Sequence, residues 1–369
     1  MKSYYLIFVI ITFMSCSKDK VSSDVMPIPD STTFISSVDL SSLPQIESVN
    51  TVFYNSNNQE EDILTTLKNN GVNTIRLRIW HNPSTNHSSF QEVKTFAERI
   101  KSKGLKVWLS VHYSDTWADP GNQVTPAAWQ GESFNSIKDN LYDYTNNVML
   151  EIQPDFIQIG NEINSGFLFP YGNINNNETQ FIDLLSTGIQ AVRDNSNTTK
   201  IIMHYAGLEG SNWFFNKLNT LDYDIIGLSY YPIWHGKNLN ELQSTITSLG
   251  TTYNKQVIIA ETAYPFTLQW NDFTNNIVGL EEQLILPDYP ATQQGQRDYL
   301  AKIKEIIVAT NNGIGFCYWE AGYVAFQGSN ATNGSPWENQ AVYDFDNKAL
   351  PITKTNSIIC CNYNFFNFC

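Results

Sequence analysis

Short apolar runs alternate with longer amphipathic segments along most of the chain. The runs are FISSVD at 34–39, NTIRLRIW at 73–80, LKVWLSVHY at 105–113, DFIQIGNE at 155–162, KIIMHY at 200–205, DIIGLSYY at 224–231, QVIIAE at 256–261 and GIGFCYW at 313–319. They are of strand length and too apolar to leave one face wet. Between them, EEDILTTLKNN, FQEVKTFAERIKSKG, SIKDNLYDYTNNVMLEI and TQFIDLLSTGIQAVRD carry helical spacing, and the first two stop at glycine, where helices take a left-handed cap. Alternation of this kind predicts a (β/α)₈ TIM barrel as a single domain. A doubly wound sheet is the alternative; it would carry a Gly-rich phosphate loop after an early strand, and the sequence has none.

The two ends fall outside this alternation. The chain opens MKSYYLIFVIITFMSCSKDK, with an apolar stretch from Tyr4 to Met14 that is too short to span a bilayer and has the size of a secretory core. A small residue before cysteine at its end resembles a bacterial lipoprotein signal. Residues 1–16 are therefore expected to be that signal, with Cys16 lipidated, and the protein to be exported to the cell envelope, at the outer membrane or cell surface; plain secretion is the alternative. Residues 17–33 are polar and rich in Pro and Ser, a tether. The barrel is expected over 34–353, and 354–369 is a tail without helical or strand order.

Composition narrows the chemistry. A formal charge of -14 with no basic cluster speaks against nucleic acid. Aromatics at 13% exceed what packing needs and suit stacking on a flat, neutral ligand. The five cysteines have neither metal-ligand spacing nor a paired framework, and Cys317 inside GIGFCYW reads as a small buried hydrophobe. His112, His204 and His235 come with no HExxH and no close histidine pair, so no catalytic metal is expected.

In a barrel of this class the chemistry gathers at the C-terminal ends of the strands. The predicted strands end in Asp39, in Arg76 and Arg78, in His112 and Tyr113, in Asn161 and Glu162, in His204, in Tyr230 and Tyr231, in Glu261, and in Trp319 and Glu320. Two of these are carboxylates that follow runs of β-formers, Glu162 on the fourth strand and Glu261 on the seventh. A carboxyl pair about 5–5.5 Å apart is the geometry of a retaining glycosidase, with one carboxyl as nucleophile and the other protonating the leaving oxygen. Asn161 then suits a hydrogen bond to a sugar 2-OH, and an arginine of RLRIW, Arg76 or Arg78, can hold the nucleophile ionised. His112 is expected near the saccharide. In the loop HYSDTWADPGNQ, Asp115 and Asp119 flank Trp117, an aromatic face with acceptors beside it. Trp234 and Trp319 are further platforms, with Asp39, Tyr230, Tyr231 and His235 completing the expected site.

The motifs GVNTIRLRIW, HYSDTWADPGNQ, QIGNEINSG, IGLSYYPIW, AETAYP and YWE, in this order, resemble the endo-β-1,4-galactanases of glycoside hydrolase family 53. The resemblance runs from Phe34 to Pro351. It implies a (β/α)₈ barrel of the retaining clan with Glu162 as acid/base and Glu261 as nucleophile. It also implies internal cleavage of β-1,4-galactan in type I arabinogalactan, without an organic cofactor. The protein itself is expected to be a monomer. The chain departs from the family in SSVDLS, where Gly-Ala-Asp-Ile is usual, in YWEA for YWEP, and in FLFP, where a Trp commonly precedes the proline. Some bacterial members bind calcium after the seventh strand through an Asp-rich segment; here TLQWNDFTNNIVG holds only Asp272, so calcium is not expected. Two other readings stay open: the same barrel acting on mannan or xylan, and a surface glycan-binding protein without catalysis.

Overall fold

The computed structural model describes residues 34–355. Eight parallel strands close into a barrel in chain order: β1 (Ile35–Asp39), β2 (Thr74–Ile79), β3 (Lys106–Val111), β4 (Phe156–Ile159), β5 (Lys200–Ala206), β6 (Ile225–Ser229), β7 (Gln256–Thr262) and β8 (Gly313–Tyr318). The ring shuts where β8 returns to β1, with Ser37 opposite Cys317. Every predicted strand is present. The fourth ends earliest relative to expectation, at Ile159, so Gly160, Asn161 and Glu162 form a turn beyond it.

The helices are α1 (Leu43–Glu47), α2 (Ile63–Asn69), α3 (Phe90–Ser102), α4 (Phe134–Glu151), α5 (Glu178–Asn195), α6 (Ser211–Lys217), α7 (Pro232–His235), α8 (Leu239–Tyr253) and α9 (Gln293–Val308). The four predicted helical segments are α2 to α5. Side-chain caps start several of them: Ser89 accepts from Glu92 N before α3, and Ser133 from Ser136 N before α4.

Strand alternation splits the buried apolar residues in two. One large cluster lies between strands and helices. A smaller one, with Trp108, Phe156, Ile202, Ile225 and Cys317, plugs the inside of the barrel. Two or four residues further along the same faces come Ser110, Gln158, His204 and Ser229, all buried. The apolar plug thus carries a polar layer, and the cleft opens above that layer.

The expected signal and tether, and the expected tail from residue 356 onward, lie outside the described residues. Among the described residues no helix is long and apolar enough to cross a membrane. Cys317 is buried and unpaired, as its apolar surroundings predict.

Candidate active site

The turn after β4 carries Glu162. Gly160 has φ 82°, and a Cβ there would lie 2.4 Å from Ile163 Cγ2, so only glycine fits. Glu162 itself sits at φ 45°, a left-handed conformation that non-glycine residues adopt only where their surroundings enforce it. Its backbone N–H donates to His204 Nδ1 at 3.3 Å. Glu261 lies within β7, where the pairing register slips on both sides, next to Ser229 of β6 and between Ile259 and Thr262 toward β8. Such an irregularity re-aims a side chain, here into the barrel mouth. One oxygen of Glu162, one of Glu261 and a ring nitrogen of His204 all lie within 4.8 Å of one another.

Arg76 makes the two carboxyls unequal. Its Nη2 is 2.7 Å from Glu261 Oε1. Its other donors go to Asp39 Oδ2 at 2.8 Å, Gln158 Oε1 at 2.7 Å and Asn161 Oδ1 at 2.9 Å. The Tyr231 hydroxyl donates to Glu261 Oε2 at 3.0 Å. Glu162, partly open to the cleft, instead accepts from the Ser229 hydroxyl at 2.5 Å. Burial, and then the charge of Glu261, push Glu162 up to about 8. Burial raises Glu261 too, while Arg76 and the Tyr231 hydroxyl pull it back. The proton shared by such a pair therefore belongs on Glu162. The two glutamates with His204 form the kind of cluster that can hold a metal ion, but Arg76 already supplies the positive charge, and both ring nitrogens of His204 lie within 2.9 Å of Gln158 and Ser229.

The cleft encloses about 430 Å³ and brings together Arg76, His112, Trp117, Asp119, Asn161, Glu162, Tyr231, Trp234, His235, Glu261 and Trp319, all expected from the sequence. His112 Nδ1 accepts from Ala118 N, which leaves Nε2–H as its donor. His235 Nδ1 accepts from Tyr231 N, so that ring also presents Nε2.

Three expected site residues do other work. Tyr230 points away: it is fully buried and donates to Gly236 O, because Ser229 and Tyr231 take the inward positions and alternation turns the residue between them outward. Asp115 ties its own loop together, accepting from Asn82 N and Ala127 N, and does not line the cleft. Asp39 lines the floor but has no exposed surface; Oδ1 accepts from Ser41 and Oδ2 from Arg76, so it positions the arginine and is not a ligand contact.

Residues that the sequence reading did not single out complete the walls. Trp337, from the long segment after β8, packs on Trp319 with centroids 4.5 Å apart and also meets Trp234 and Tyr231. Ile277 and Pro336 come from equally irregular segments. A second buried ion pair, Arg78 to Glu320 at 3.1 Å, lies beneath Trp117, whose ring centroid is 3.9 Å from the guanidinium carbon.

The segments after β7 and after β8 together offer donors for a cation. Asp272 Oδ2, Asn276 Oδ1 and Glu338 Oε2 are buried and make no hydrogen bond. Burial pushes Glu338 up, and the charge of Asp272 adds to it. Two neighbouring carboxylates and an amide oxygen are calcium-type donors, and no motif or spacing along the chain connects Glu338 with Asp272.

A closed parallel barrel with two carboxyls converging at the ends of β4 and β7, one clamped by arginine and the other holding a proton, defines a retaining glycoside hydrolase. Residues 35–355 match the family described as Glycosyl hydrolase family 53, and the chain belongs to it. It is similar to an arabinogalactan endo-beta-1,4-galactanase of Cellvibrio japonicus, with 34% identity covering 88% of this chain and 90% of that one. It is also similar to an endo-beta-1,4-galactanase of Bacillus subtilis, with 30% identity over 86% and 84% of the two chains. Among solved structures, the family 53 catalytic domain of Ignisphaera aggregans superposes with a TM-score of 0.84 at 34% identity, covering 90% of this chain and 98% of that domain.

Proposed function

We propose that the protein hydrolyses internal β-1,4-galactosidic linkages of pectic galactan, with Glu162 as general acid and then base and Glu261 as nucleophile. The observation that carries the assignment is the asymmetry of the pair: Arg76 contacts Glu261, and Ser229 contacts Glu162. In the first step Glu261 attacks the anomeric carbon while Glu162 protonates the departing oxygen. Formation of the glycosyl ester removes the charge of Glu261, one of the causes that raise Glu162. The pKa of Glu162 then falls, and the freed carboxylate deprotonates the incoming water. Asn161 faces the sugar 2-OH with the second hydrogen of its amide, the first being donated to Ala118 O. Galactan as substrate is supported by the relatives named above and by a cleft walled with tryptophan.

Release of reducing ends from β-1,4-galactan, mannan and xylan, with product lengths resolved, tests the reading. Short galacto-oligosaccharides from galactan alone, the β-anomer first, are expected, and none from Glu261→Ala. Cleavage of mannan or xylan alone would keep the two glutamates and discard the substrate. Binding without cleavage would leave a glycan-capture protein.

The hydrolysis itself draws on side chains only. Calcium, where supplied, would be held by Asp272, Asn276 and Glu338 and would join the segments after β7 and β8, a structural task. Export with an anchor at Cys16, supported by the N-terminal sequence, and action as a monomer complete the proposal. Cys16→Ala should move the protein from the membrane to the soluble fraction, and light scattering should give the mass of one chain.

A further inference from the structure

We propose that Gln158, His204 and Ser229 are positioning residues that fix which oxygen of Glu162 carries the catalytic proton. The inference rests on the reading of Glu162 as acid/base.

The hydrogen-bond chain starts at Arg76, which can only donate. Its Nε donates to Gln158 Oε1 at 2.7 Å, so the nitrogen end of that carboxamide is turned to His204 Nδ1, 2.9 Å away. Nδ1 also receives the backbone N–H of Glu162. With two donors aimed at it, Nδ1 accepts, and the hydrogen of the neutral ring sits on Nε2. Asn161 Oδ1, 3.2 Å from Nδ1, would suit the other tautomer. That oxygen already accepts from Arg76 and Ser110, however, and a hydrogen on Nδ1 would clash with the amide of Gln158. Burial and the charge of Arg76 hold His204 far below its ordinary pKa, so the ring stays neutral.

His204 Nε2 therefore donates to Ser229 Oγ, 2.9 Å away, and the serine hydrogen has one remaining direction, Glu162 Oε1 at 2.5 Å. Arg76 is 2% exposed, and Gln158, His204 and Ser229 not at all, so water has no access to reverse the order. Oε1 is an acceptor throughout the cycle. The transferable proton is confined to Oε2, and the same serine hydrogen steadies the carboxylate when Glu162 turns base. Arg76, which clamps the nucleophile, thus sets the direction of every bond as far as the acid.

The first test is ¹⁵N NMR of the His204 ring in the intact enzyme: Nε2–H is expected, and Nδ1–H overturns the proposal. The second compares Ser229→Ala and Ser229→Thr with wild type on galactan and on a nitrophenyl galactobioside, whose leaving group needs no acid. Loss of a donor to the carboxylate raises its pKa. For Ser229→Ala, the basic limb of kcat/KM should therefore move up by about one pH unit, and galactan kcat/KM should fall about tenfold or more while the nitrophenyl value holds within about threefold. Ser229→Thr should restore both. Equal losses on the two substrates with an unmoved limb would mean a packing role and overturn the proposal. Glu162→Gln is measured alongside; if it cleaves galactan like wild type, the acid/base reading fails and takes this inference with it.

Discussion

Arg76 Nη2 lies 2.7 Å from Glu261 Oε1, both side chains more than nine-tenths buried. Four elements meet at this one guanidinium: Asp39 from β1, Gln158 from β4, Asn161 from the turn beyond, and Glu261 from β7. A lysine keeps the charge but cannot reach all of them. Arg76→Lys should lower kcat/KM on galactan by about a hundredfold or more and lower the melting temperature. Arg76→Ala strands two buried carboxylates and should cost about 3–5 kcal/mol of stability. A lysine variant with wild-type turnover would remove Arg76 from the mechanism.

The pH profile follows from the same asymmetry. Glu162 must be protonated at the start of the cycle and Glu261 ionised. Because Glu162 is pushed up to about 8, kcat/KM should fall as pH rises through that value. Glu261 is raised from 4.5, so the acid limb should lie above 4.5. Glu162→Gln should abolish the basic limb. Stability carries the matching sign: a carboxyl raised from 4.5 to about 8 favours folding fully below 4.5, and the contribution is lost as pH climbs through 8. Glu162→Gln should therefore melt higher than wild type at alkaline pH and equally at acidic pH, as calorimetry would record.

Trp117 is 40% exposed on its outer face, while Arg78 underlies it and Glu320 and Ser88 hold Arg78. A cation beneath the ring fixes its plane and is worth about 0.5–2 kcal/mol. Arg78→Leu should raise KM for galactan several-fold more than it lowers kcat, because it loosens a platform without touching the carboxyls. Glu320 is pushed up to about 7 by burial and the charge of Asp39, so its grip on Arg78 weakens below that pH. KM should rise correspondingly on the acid side in wild type and not in Glu320→Gln.

Much of this was legible in the sequence. The eight apolar runs made the barrel readable, and both glutamates stood at the ends of such runs. Tyr231 over Tyr230 follows from the same alternation: Ser229 faces into the barrel, and the period carried past the end of β6 turns Tyr231 inward and Tyr230 outward. Asp115 against Asp119 turned on loop geometry. Trp337 and Ile277 enter from irregular segments far from any strand, where no period operates. Ser229 and Gln158 had a usable signal: each is a lone polar residue in an apolar run, on the face that points into the barrel. Helix α8 was obscured by its Thr and Ser content and an internal glycine, weak helix formers that packing overrides.

The three unpaired oxygens of Asp272, Asn276 and Glu338 make calcium a measurable quantity. Millimolar calcium should raise the melting temperature over that in chelator, and Asp272→Ala should erase the difference while leaving kcat on galactan nearly unchanged. Identical melting with and without calcium would show that direct bonds, such as Gly334 N to Thr274 Oγ1 at 2.7 Å, hold these segments by themselves.

Trp234 is the most exposed aromatic of the cleft, at 54%, and Tyr231 and Trp337 back it with ring centroids 5.2 and 6.2 Å away. Neighbours that hold a ring in place while its outer face stays wet make a platform for the apolar face of a sugar. Its exposure places it at the rim of the cleft, so its contribution is to binding a residue of the chain away from the cleaved bond. Binding energy so placed governs where a long polymer settles. Trp234→Ala should therefore raise KM on polymeric galactan and shift the product lengths, while kcat/KM on a nitrophenyl galactobioside changes little. A loss on the short substrate as large as on the polymer would put Trp234 next to the reacting sugar instead.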